Sequence, residues 1–330
     1  MGRMISDRLM DAIDKKQNPC AVGLDPVIER IPKHLIGGDT FKDTAEAFRR
    51  FNFEIIDAIA DIIPIVKPQV AFYEKYKHYG FKAFEDTVDY AKSKGMVVIE
   101  DGKRNDIGNT AKAYADGHLG KVRTLLSESR SLDLDMLTVN PYFGSDGISP
   151  FVDVCRQYNK GIFVLVKTSN PGSGEIQDRI VEITDDELSE FSKLGVNLSS
   201  NKTNLYNLVG LQVNRFAQKL KGRRGYSPIG AVIGATYPSQ AEILRMIMPD
   251  SIFLVPGYGA QGGAGKDITN CFNLDGYGAV ISSSRGIIFA YEKSGSQVNF
   301  ADASRKAAEI MIDDICTALY GSNKMPLAWK

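Results

Sequence analysis

The segment EDGKRNDIGNT, residues 100–110, places charged side chains at close spacing directly after an apolar run. That run, residues 96–99 (MVVI), is typical of a strand that is buried on both faces. Asp101, Lys103 and Asp106 follow it in the order Asp-x-Lys-x-x-Asp. A positioned ammonium group among carboxylates can donate a proton or stabilise developing negative charge, so this spacing predicts acid–base or electrostatic catalysis.

The elements that must position these charges are predicted from apolar runs that recur along the chain. Eight such runs predict strands at residues 21–25, 64–67, 96–101, 136–140, 162–168, 231–234, 252–255 and 279–282. Segments with helical periodicity lie between most of them, for example 44–60 and 81–94. This alternation predicts an α/β protein with a (β/α)₈ (TIM) barrel. An open doubly wound sheet is the alternative, but no Gly-x-Gly-x-x-Gly turn follows the first run.

The chain is expected to form one barrel domain over residues 1–330. Such barrels typically need about 250 residues, which leaves an excess of roughly 80. The connection between the fifth and sixth predicted strands, 169–229, is unusually long and includes the polar segment KLGVNLSSNKTN. We therefore place an insertion between strands five and six, at about 174–204, before a helix predicted near 205–220.

Active sites of such barrels lie at the C-terminal ends of the strands. Several predicted strands end there in polar residues, namely Asp25, Lys67, Asp101 with Lys103, Asn140, and Lys167 with Thr168 and Ser169. Residues two apart along an extended strand share a face, so Asp101 and Lys103 are expected to point into one barrel mouth.

Lysines interleaved with carboxylates are expected to stay protonated, because a lone charge is costly to remove from water. A protonated lysine is a general acid or an electrostatic stabiliser, whereas an imine-forming lysine needs a depressed pKa. The alternative is a network of ion pairs that only closes the barrel mouth. It is disfavoured because burying ion pairs is a poor way to gain stability.

Two loops near the end of the chain are candidates for binding phosphate. PGYGAQGGAG (256–265) follows the seventh predicted strand and SSSRG (282–286) follows the eighth. Barrels commonly bind phosphate there with backbone N–H groups, a helix start and a cation. Arg285 is the expected cation because a guanidinium group can contact two phosphate oxygens at once. A plain tight turn is the alternative for the glycine-rich loop alone.

The composition argues against several classes of partner and site. Lys plus Arg and Asp plus Glu number 40 each, so no global field attracts nucleic acid or an anionic membrane. The N-terminal segment is charged and no apolar run approaches the length of a membrane span, which predicts a cytoplasmic protein. The four cysteines and three histidines are scattered, so no metal site is predicted.

These segments together resemble the orotidine 5′-phosphate decarboxylase family. The family signature is matched by Asp101, Lys103, Asp106, Ile107, Gly108 and Thr110. Other family blocks are matched in order by VGLDP (22–26), VKPQVAFYE (66–74), LVKTSNPGS (165–173), PGYGAQGG (256–263) and SSSRGI (282–287). The resemblance spans nearly the whole barrel and includes features of the longer-chain branch of the family.

The resemblance implies decarboxylation of orotidine 5′-monophosphate to UMP and CO₂, the last step of de novo pyrimidine biosynthesis. No metal or organic cofactor is implied. Loss of CO₂ leaves a carbanion at C6 of the pyrimidine, which Lys103 would stabilise and protonate. Asp101 would lie near the departing carboxylate, and Lys67 and Asp106 would complete the charged network and contact the ribose.

The resemblance also implies a set of substrate-binding residues and a homodimer. The implied set contains Asp25 and Gln69 at the ribose, Ser169 at the pyrimidine edge, Gln261 and Arg285 at the phosphate, and also Pro256 and Ser284. Asp106, Ile107 and Thr110 would complete the neighbouring subunit's site. Gln69 stands where longer-chain relatives often have Asn, and SSSRG lacks the Asn that many members place before the Ser-Arg pair.

Three other functions stay open. A Mg²⁺-dependent sugar-phosphate decarboxylase of the same suprafamily shares Asp-x-Lys-x-x-Asp, but it needs a carboxylate where Lys67 stands. A Schiff-base aldolase could use Lys67 or Lys167, although polar neighbours would keep either one charged. A noncatalytic nucleotide- or phosphate-binding barrel with a relic site would be expected to have lost at least one of the four charges.

Overall fold

Eight parallel strands close into a barrel in the computed structural model, which describes residues 3–259, 263–294 and 297–329. The strands in chain order are β1 Cys20–Leu24, β2 Ile65–Pro68, β3 Val97–Arg104, β4 Lys121–Arg123, β5 Glu128–Arg130, β6 Met136–Val139, β7 Gly161–Lys167, β8 Ile180–Glu182, β9 Lys202–Asn204, β10 Ser227–Ile233, β11 Ser251–Pro256 and β12 Ala279–Ser283. The barrel order is β1-β2-β3-β6-β7-β10-β11-β12, and β12 pairs with β1. The predicted (β/α)₈ barrel is confirmed, and each predicted strand overlaps one barrel strand.

Helices surround the barrel and follow its strands. They are α1 Ile5–Lys16, α2 Phe41–Ile59, α3 Ala71–Glu74, α4 Lys77–Ser93, α5 Gly108–His118, α6 Gly144–Tyr158, α7 Asp185–Lys193, α8 Leu205–Ala217, α9 Pro238–Ile247, α10 Arg285–Ile288, α11 Tyr291–Ser294 and α12 Phe300–Gly321. Short 3₁₀ turns occupy Ile28–Arg30, Lys33–Leu35, Pro171–Glu175, Gly265–Asp267, Thr269–Cys271 and Leu327–Trp329. None of the helices in the described ranges is both long enough and apolar enough to cross a membrane.

Local sequence explains how the longer helices form. Helix α2 begins at a capping box in which the Thr40 hydroxyl accepts from the backbone N–H of Asp43, 3.1 Å away. Its stripe of Phe48, Phe51 and Ile55 is fully buried between the helix and the barrel. The apolar spacing predicted for residues 44–60 therefore packs against the outside of the barrel.

The barrel interior has its own apolar core, and α1 closes the N-terminal end of it. Ile5, Leu9 and Ile13 of α1 pack in one cluster with inward-facing strand residues such as Phe163. The charged face of α1 carries Asp14, whose carboxylate accepts a 2.9 Å hydrogen bond from the indole of Trp329. Helix α1 and Trp329 are therefore joined at the end of the barrel opposite the strand exits. Sequence patterns did not predict α1, because charged residues lie between the apolar residues that it buries.

The long connection between β7 and β10 has its own small structure. Strands β8 and β9 pair antiparallel, α7 lies between them, and α8 follows close to its predicted position. Strands β4 and β5 pair as a β-hairpin that the sequence does not predict, because each strand has only three residues and is mostly exposed. The assignment of 174–204 as an insertion into a single domain stays a prediction.

Candidate active site

A charged network spans the ends of β2 and β3 at the C-terminal mouth of the barrel. Lys67 Nζ lies 2.9 Å from Oδ2 of Asp101, and Lys103 Nζ lies 2.5 Å from Oδ1 of the same carboxylate. The side chain of Lys67 is 6% exposed, whereas that of Lys103 is 45% exposed. One buried and one accessible ammonium group therefore share a single carboxylate.

Lys103 reaches this position through a bulge in β3 and not along an extended strand. The pairing of β3 with β6 shifts register between Glu100 and Arg104, and Lys103 has a positive φ of 47°. Asp101 and Lys103 do point into one mouth, as expected, but regular extended geometry is not the reason. Their side chains meet because the bulge rotates Lys103 back towards Asp101.

Thr138 on β6 belongs to the network, and sequence reasoning missed it. Its hydroxyl donates to Asp101 Oδ1 at 3.1 Å and accepts from the backbone N–H of Lys103 at 2.9 Å. This one side chain fixes both the carboxylate and the backbone of the bulge. The available signal was a threonine within the buried strand MLTV, two residues before Asn140.

The charges of the network shift one another's pKa values. Burial alone raises the pKa of Asp101, but the charges of Lys67 and Lys103 outweigh burial and hold it well below its usual range. Burial lowers the pKa of Lys67, but Asp101 and Asp25 outweigh burial and raise it above its usual value. The buried lysine and its carboxylate are therefore both ionised at neutral pH.

Asp25 lies beside this network, and the pKa of its carboxyl group shifts in the opposite direction to that of Asp101. Burial raises the pKa of its carboxyl group, and the charge of Lys67 together with the Ser284 side chain compensates only in part. Oδ1 of Asp25 is buried and has no hydrogen-bond partner among the described residues. Ser284 can approach because position 23 is glycine, since a Cβ atom there would lie 1.8 Å from the Ser284 hydroxyl oxygen.

Two adjoining cavities connect the network to most of the predicted binding residues. One of about 440 Å³ is lined by Lys67, Asp101, Lys103, Thr138, Leu165, Thr168, Ser169, Asn170, Gln177, Val232, Leu254 and Pro256. The other, of about 190 Å³, is lined by Asp25, Lys67, Asp101, Pro256, Gly257, Tyr258, Ser282, Ser283, Ser284 and Arg285. Pro256 and the Lys67–Asp101 pair line both, so one elongated molecule can contact Ser169 and Arg285 at its two ends.

Other predicted site residues lie outside the network. The Asp106 carboxylate accepts from the backbone N–H of Ile107 at 2.7 Å, and it forms no ion pair within the described part of the chain. The expectation that Asp106 completes an alternating network is therefore not met within one subunit, because residue 106 turns away to the start of α5. Ile107 and Thr110 are exposed there. Gln69 Oε1 accepts from the backbone of Ala71, 3.3 Å away, and Gln261 lies outside the described residues.

Lys167 does not line the mouth, although it ends the fifth barrel strand. A register shift between β7 and β10 turns its side chain into a fully buried position. There its ammonium group lies 2.7 Å from Asp178 and 4.3 Å from the ring centroid of Tyr237. Gln177, next to Asp178, accepts from the backbone N–H of Thr168 at 2.9 Å, so the long connection fastens the exit of β7.

Comparison with known proteins gives one consistent family. The family model described as orotidine 5′-phosphate decarboxylase / HUMPS matches residues 22–296. A relative from Rhodopirellula baltica named orotidine 5′-phosphate decarboxylase is 42% identical, covering 91% of this chain and 95% of its own. A relative of the same name from Caldicellulosiruptor bescii is 38% identical, covering 95% and 98%.

A solved structure shows the same architecture. It is described as a putative orotidine 5′-phosphate decarboxylase from Streptomyces avermitilis, and it superposes with a TM-score of 0.74 over 97% of both chains. The sequence identity of that pair is 28%.

Proposed function

We propose that this chain, which belongs to the orotidine 5′-phosphate decarboxylase / HUMPS family, is a carboxy-lyase that converts orotidine 5′-monophosphate to UMP and CO₂ in pyrimidine biosynthesis. The observation that carries the proposal is the pair of lysines on one carboxylate at the barrel mouth. Such a site offers a protonated amine beside a fixed negative charge. Decarboxylation at C6 of the pyrimidine requires both stabilisation of a carbanion and a proton for it.

The proposed chemical step uses Lys103. The bond between C6 and the carboxylate carbon breaks, CO₂ leaves, and the electron pair stays on C6. The ammonium group of Lys103 stabilises that charge and then transfers a proton to C6, and the resulting neutral amine regains a proton from solvent. The partial exposure of Lys103 supports this role, because the proton donor must reach both substrate and water.

Asp101 and Lys67 support this step in different ways. Asp101 holds Lys103 at 2.5 Å and stays ionised, so it places a negative charge near the substrate carboxylate. That repulsion is relieved as CO₂ forms, which favours the transition state over the bound substrate. We assign the larger effect to Lys103, which acts directly on the carbanion. Buried Lys67 keeps Asp101 in place from the other side.

The two adjoining cavities support the proposed substrate orientation. Ser169 would bind the pyrimidine edge, Asp25 the ribose, and Ser284 with Arg285 the phosphate. Arg285 also lines a basic pocket of about 560 Å³ together with Arg30 and Lys293. Binding energy from a phosphate held there can be used to orient C6 against Lys103.

We further propose a homodimer in which Asp106, Ile107 and Thr110 complete the partner's site. Support comes from their position at the start of α5, with the apolar side chain of Ile107 55% exposed.

The reaction is proposed to need no metal or organic cofactor and to take place in the cytoplasm, without nucleic-acid or membrane partners. Support for metal independence comes from Lys67, a buried cation where a metal-dependent relative needs a carboxylate. The equal numbers of acidic and basic residues support the absence of nucleic-acid and membrane partners.

The proposal is tested by incubating EDTA-treated protein with orotidine 5′-monophosphate and following its ultraviolet absorbance. We expect rapid conversion to UMP, abolished in Lys103→Ala while UMP binding is retained. Binding of UMP without turnover by the wild-type protein would instead support a noncatalytic nucleotide-binding barrel. Borohydride trapping of a lysine would support the aldolase alternative, and loss of activity on EDTA treatment would support the metal-dependent one.

A further inference from the structure

A chain of four charged or polar side chains lies on the outer face of β3, directly behind the bulge that carries Lys103. We call Glu74, Glu100, Arg104 and His118 the β3 clamp. Glu100 and Arg104 stand at the two ends of the register shift, so the clamp brackets the bulge. His118 is at the end of α5 and Glu74 is at the end of α3.

Glu100 is the unusual member of the clamp. It is fully buried, with Oε2 2.6 Å from Nδ1 of His118 and Oε1 without a hydrogen-bond partner among the described residues. A half-satisfied carboxylate in an apolar layer is unfavourable for stability, and apolar side chains at both position 100 and position 118 would pack there without a buried polar group. The position therefore calls for an explanation other than stability.

The two ring nitrogens of His118 have different partners, which indicates its tautomer and connects it to Arg104. The Nε–H group of Arg104 donates to Nε2 of His118 at 3.4 Å, so the imidazole proton is on Nδ1 and is donated to Glu100. The other end of the Arg104 guanidinium pairs with Glu74. The clamp thus connects β3 to the helix that follows it and to the segment that follows β2.

Glu100 also contacts the bulge directly. A Cβ atom at Gly102 would lie 2.6 Å from Oε1 of Glu100, so the carboxylate is packed against the backbone between Asp101 and Lys103. A residue other than glycine keeps a left-handed backbone only where its surroundings hold it there. On the side that faces the mouth, Thr138 accepts a hydrogen bond from the Lys103 backbone. On the outer side, Glu100 of the clamp packs against Gly102.

We propose that Glu100 and His118 are positioning residues that maintain the β3 bulge and so direct Lys103 Nζ towards the reacting carbon. This inference rests on the proposed decarboxylase function. According to this inference, the buried pair lies outside the mouth and affects turnover, but it does not affect binding of the phosphate and ribose. The competing explanation is an ordinary structural contact between β3 and α5.

The test compares Glu100→Met, His118→Phe and the double variant in the full-length protein. Each replaces a polar side chain by an apolar one of similar shape, although phenylalanine is somewhat larger than histidine. We expect kcat to fall about 10- to 100-fold, as for other small misplacements of a catalytic group. The affinity for UMP should be little changed. Glu100→Met leaves the Nδ1–H group of His118 without its acceptor and should lower the melting temperature, whereas the double variant removes both partners and should melt close to the wild type. The double variant should lose no more activity than either single variant, because both act through one contact.

Two further variants keep the test decisive. His118→Asn retains a side-chain donor near the Nδ1 position and should recover much of the activity lost in His118→Phe, even if His118→Phe folds poorly. Asp135→Asn is the matched control, since Asp135 is a buried carboxylate that binds β3 at its other end, accepting from Val98 N at 3.0 Å. It should lower stability and leave kcat unchanged.

The outcomes separate the inference from the proposed function. An active wild type with unchanged kcat in folded Glu100→Met and His118→Phe would overturn the positioning role and leave the decarboxylase proposal intact. Equal losses of kcat and UMP affinity would also overturn it, in favour of a structural contact. An inactive wild type would contradict the proposed function itself.

Discussion

The ammonium nitrogen of Lys103 lies 2.5 Å from Oδ1 of Asp101, although the backbone at Lys103 has a left-handed conformation. Non-glycine residues with positive φ are uncommon, and they cluster at sites where neighbouring structure imposes them. Here the conformation returns the lysine side chain to the carboxylate two residues before it. The geometry of the candidate site therefore depends on the integrity of one bulge.

Gly102→Ala is expected to disturb that bulge. The new methyl group would lie 2.6 Å from Glu100 Oε1 and 3.0 Å from Cδ1 of Leu137, so strand or side chains must shift. We expect a loss of about 1–3 kcal/mol in unfolding free energy, as for other overpacking substitutions, together with a clear fall in kcat. Gly117→Ala in α5 is the control, because a Cβ atom there meets nothing within 4 Å. Unchanged turnover in Gly102→Ala would argue against the importance of the bulge.

Thr138→Val should affect the site without changing its shape. The substitution removes the donor to Asp101 and leaves the backbone N–H of Lys103 without its acceptor. An unsatisfied buried donor costs about 1–3 kcal/mol, so denaturant unfolding should show a loss of that size, and kcat should fall with it. Thr138→Ser keeps the hydroxyl group and should resemble the wild type. Similar kinetics in both variants would show that the hydroxyl group is not needed.

Gln177→Met tests the connection between the long β7–β10 segment and the mouth. Gln177 accepts from Thr168 N at 2.9 Å and donates to the Thr168 hydroxyl at 2.8 Å, next to Ser169. Loss of both bonds should loosen the proposed pyrimidine-binding side, raising KM about fivefold, equivalent to about 1 kcal/mol, with a smaller effect on kcat. Gln218→Met, which removes a bond to Asp250 elsewhere in the fold, should leave KM unchanged. A fall in kcat alone would contradict this assignment.

The pH dependence of stability should report the ionised pair of Lys67 and Asp101. The folded-state pKa of Asp101 lies below its unfolded value of about 3.9, so the unfolded chain binds more protons as the pH falls through that range. The stabilising contribution is complete above this range and is lost towards lower pH. For Lys67, whose pKa is raised, the contribution is present below about 10.4 and is lost as the pH rises through the higher folded-state value.

Urea unfolding between pH 7 and 3 checks the acid side of this expectation. The stability of Asp101→Asn should decline less steeply with falling pH than that of the wild type. Asp133→Asn provides the comparison, because burial raises the pKa of Asp133 but Lys160 and Lys92 lower it to about 2, away from the mouth. It should flatten the acid slope in the same way while turnover stays at the wild-type level. Parallel wild-type and Asp101→Asn profiles would contradict the assigned shift.

Sequence patterns alone were sufficient for the architecture and for most members of the candidate site. Burial on both faces makes barrel strands read as continuous apolar runs, so the charged residues that end them stand out in the sequence. Lys67, Asp101 and Lys103 were therefore predictable by position, as were Ser169 and Arg285 in the loops that follow β7 and β12. Strands outside the barrel, such as β4 and β5, are short and exposed, so no apolar run marks them.

Tertiary structure alone determined where several of these side chains point. Direction along a strand follows a simple alternation only while the register is regular, and both β3 and β7 break register with their neighbours. The break in β3 brings Lys103 onto Asp101, whereas the break in β7 turns Lys167 away from the mouth towards Asp178. The role of Thr138 was unpredictable for a related reason, because the residues that it contacts, Asp101 and Lys103, lie on another strand. A local sequence pattern specifies which residues are buried, but pairing between distant strands specifies which of them meet.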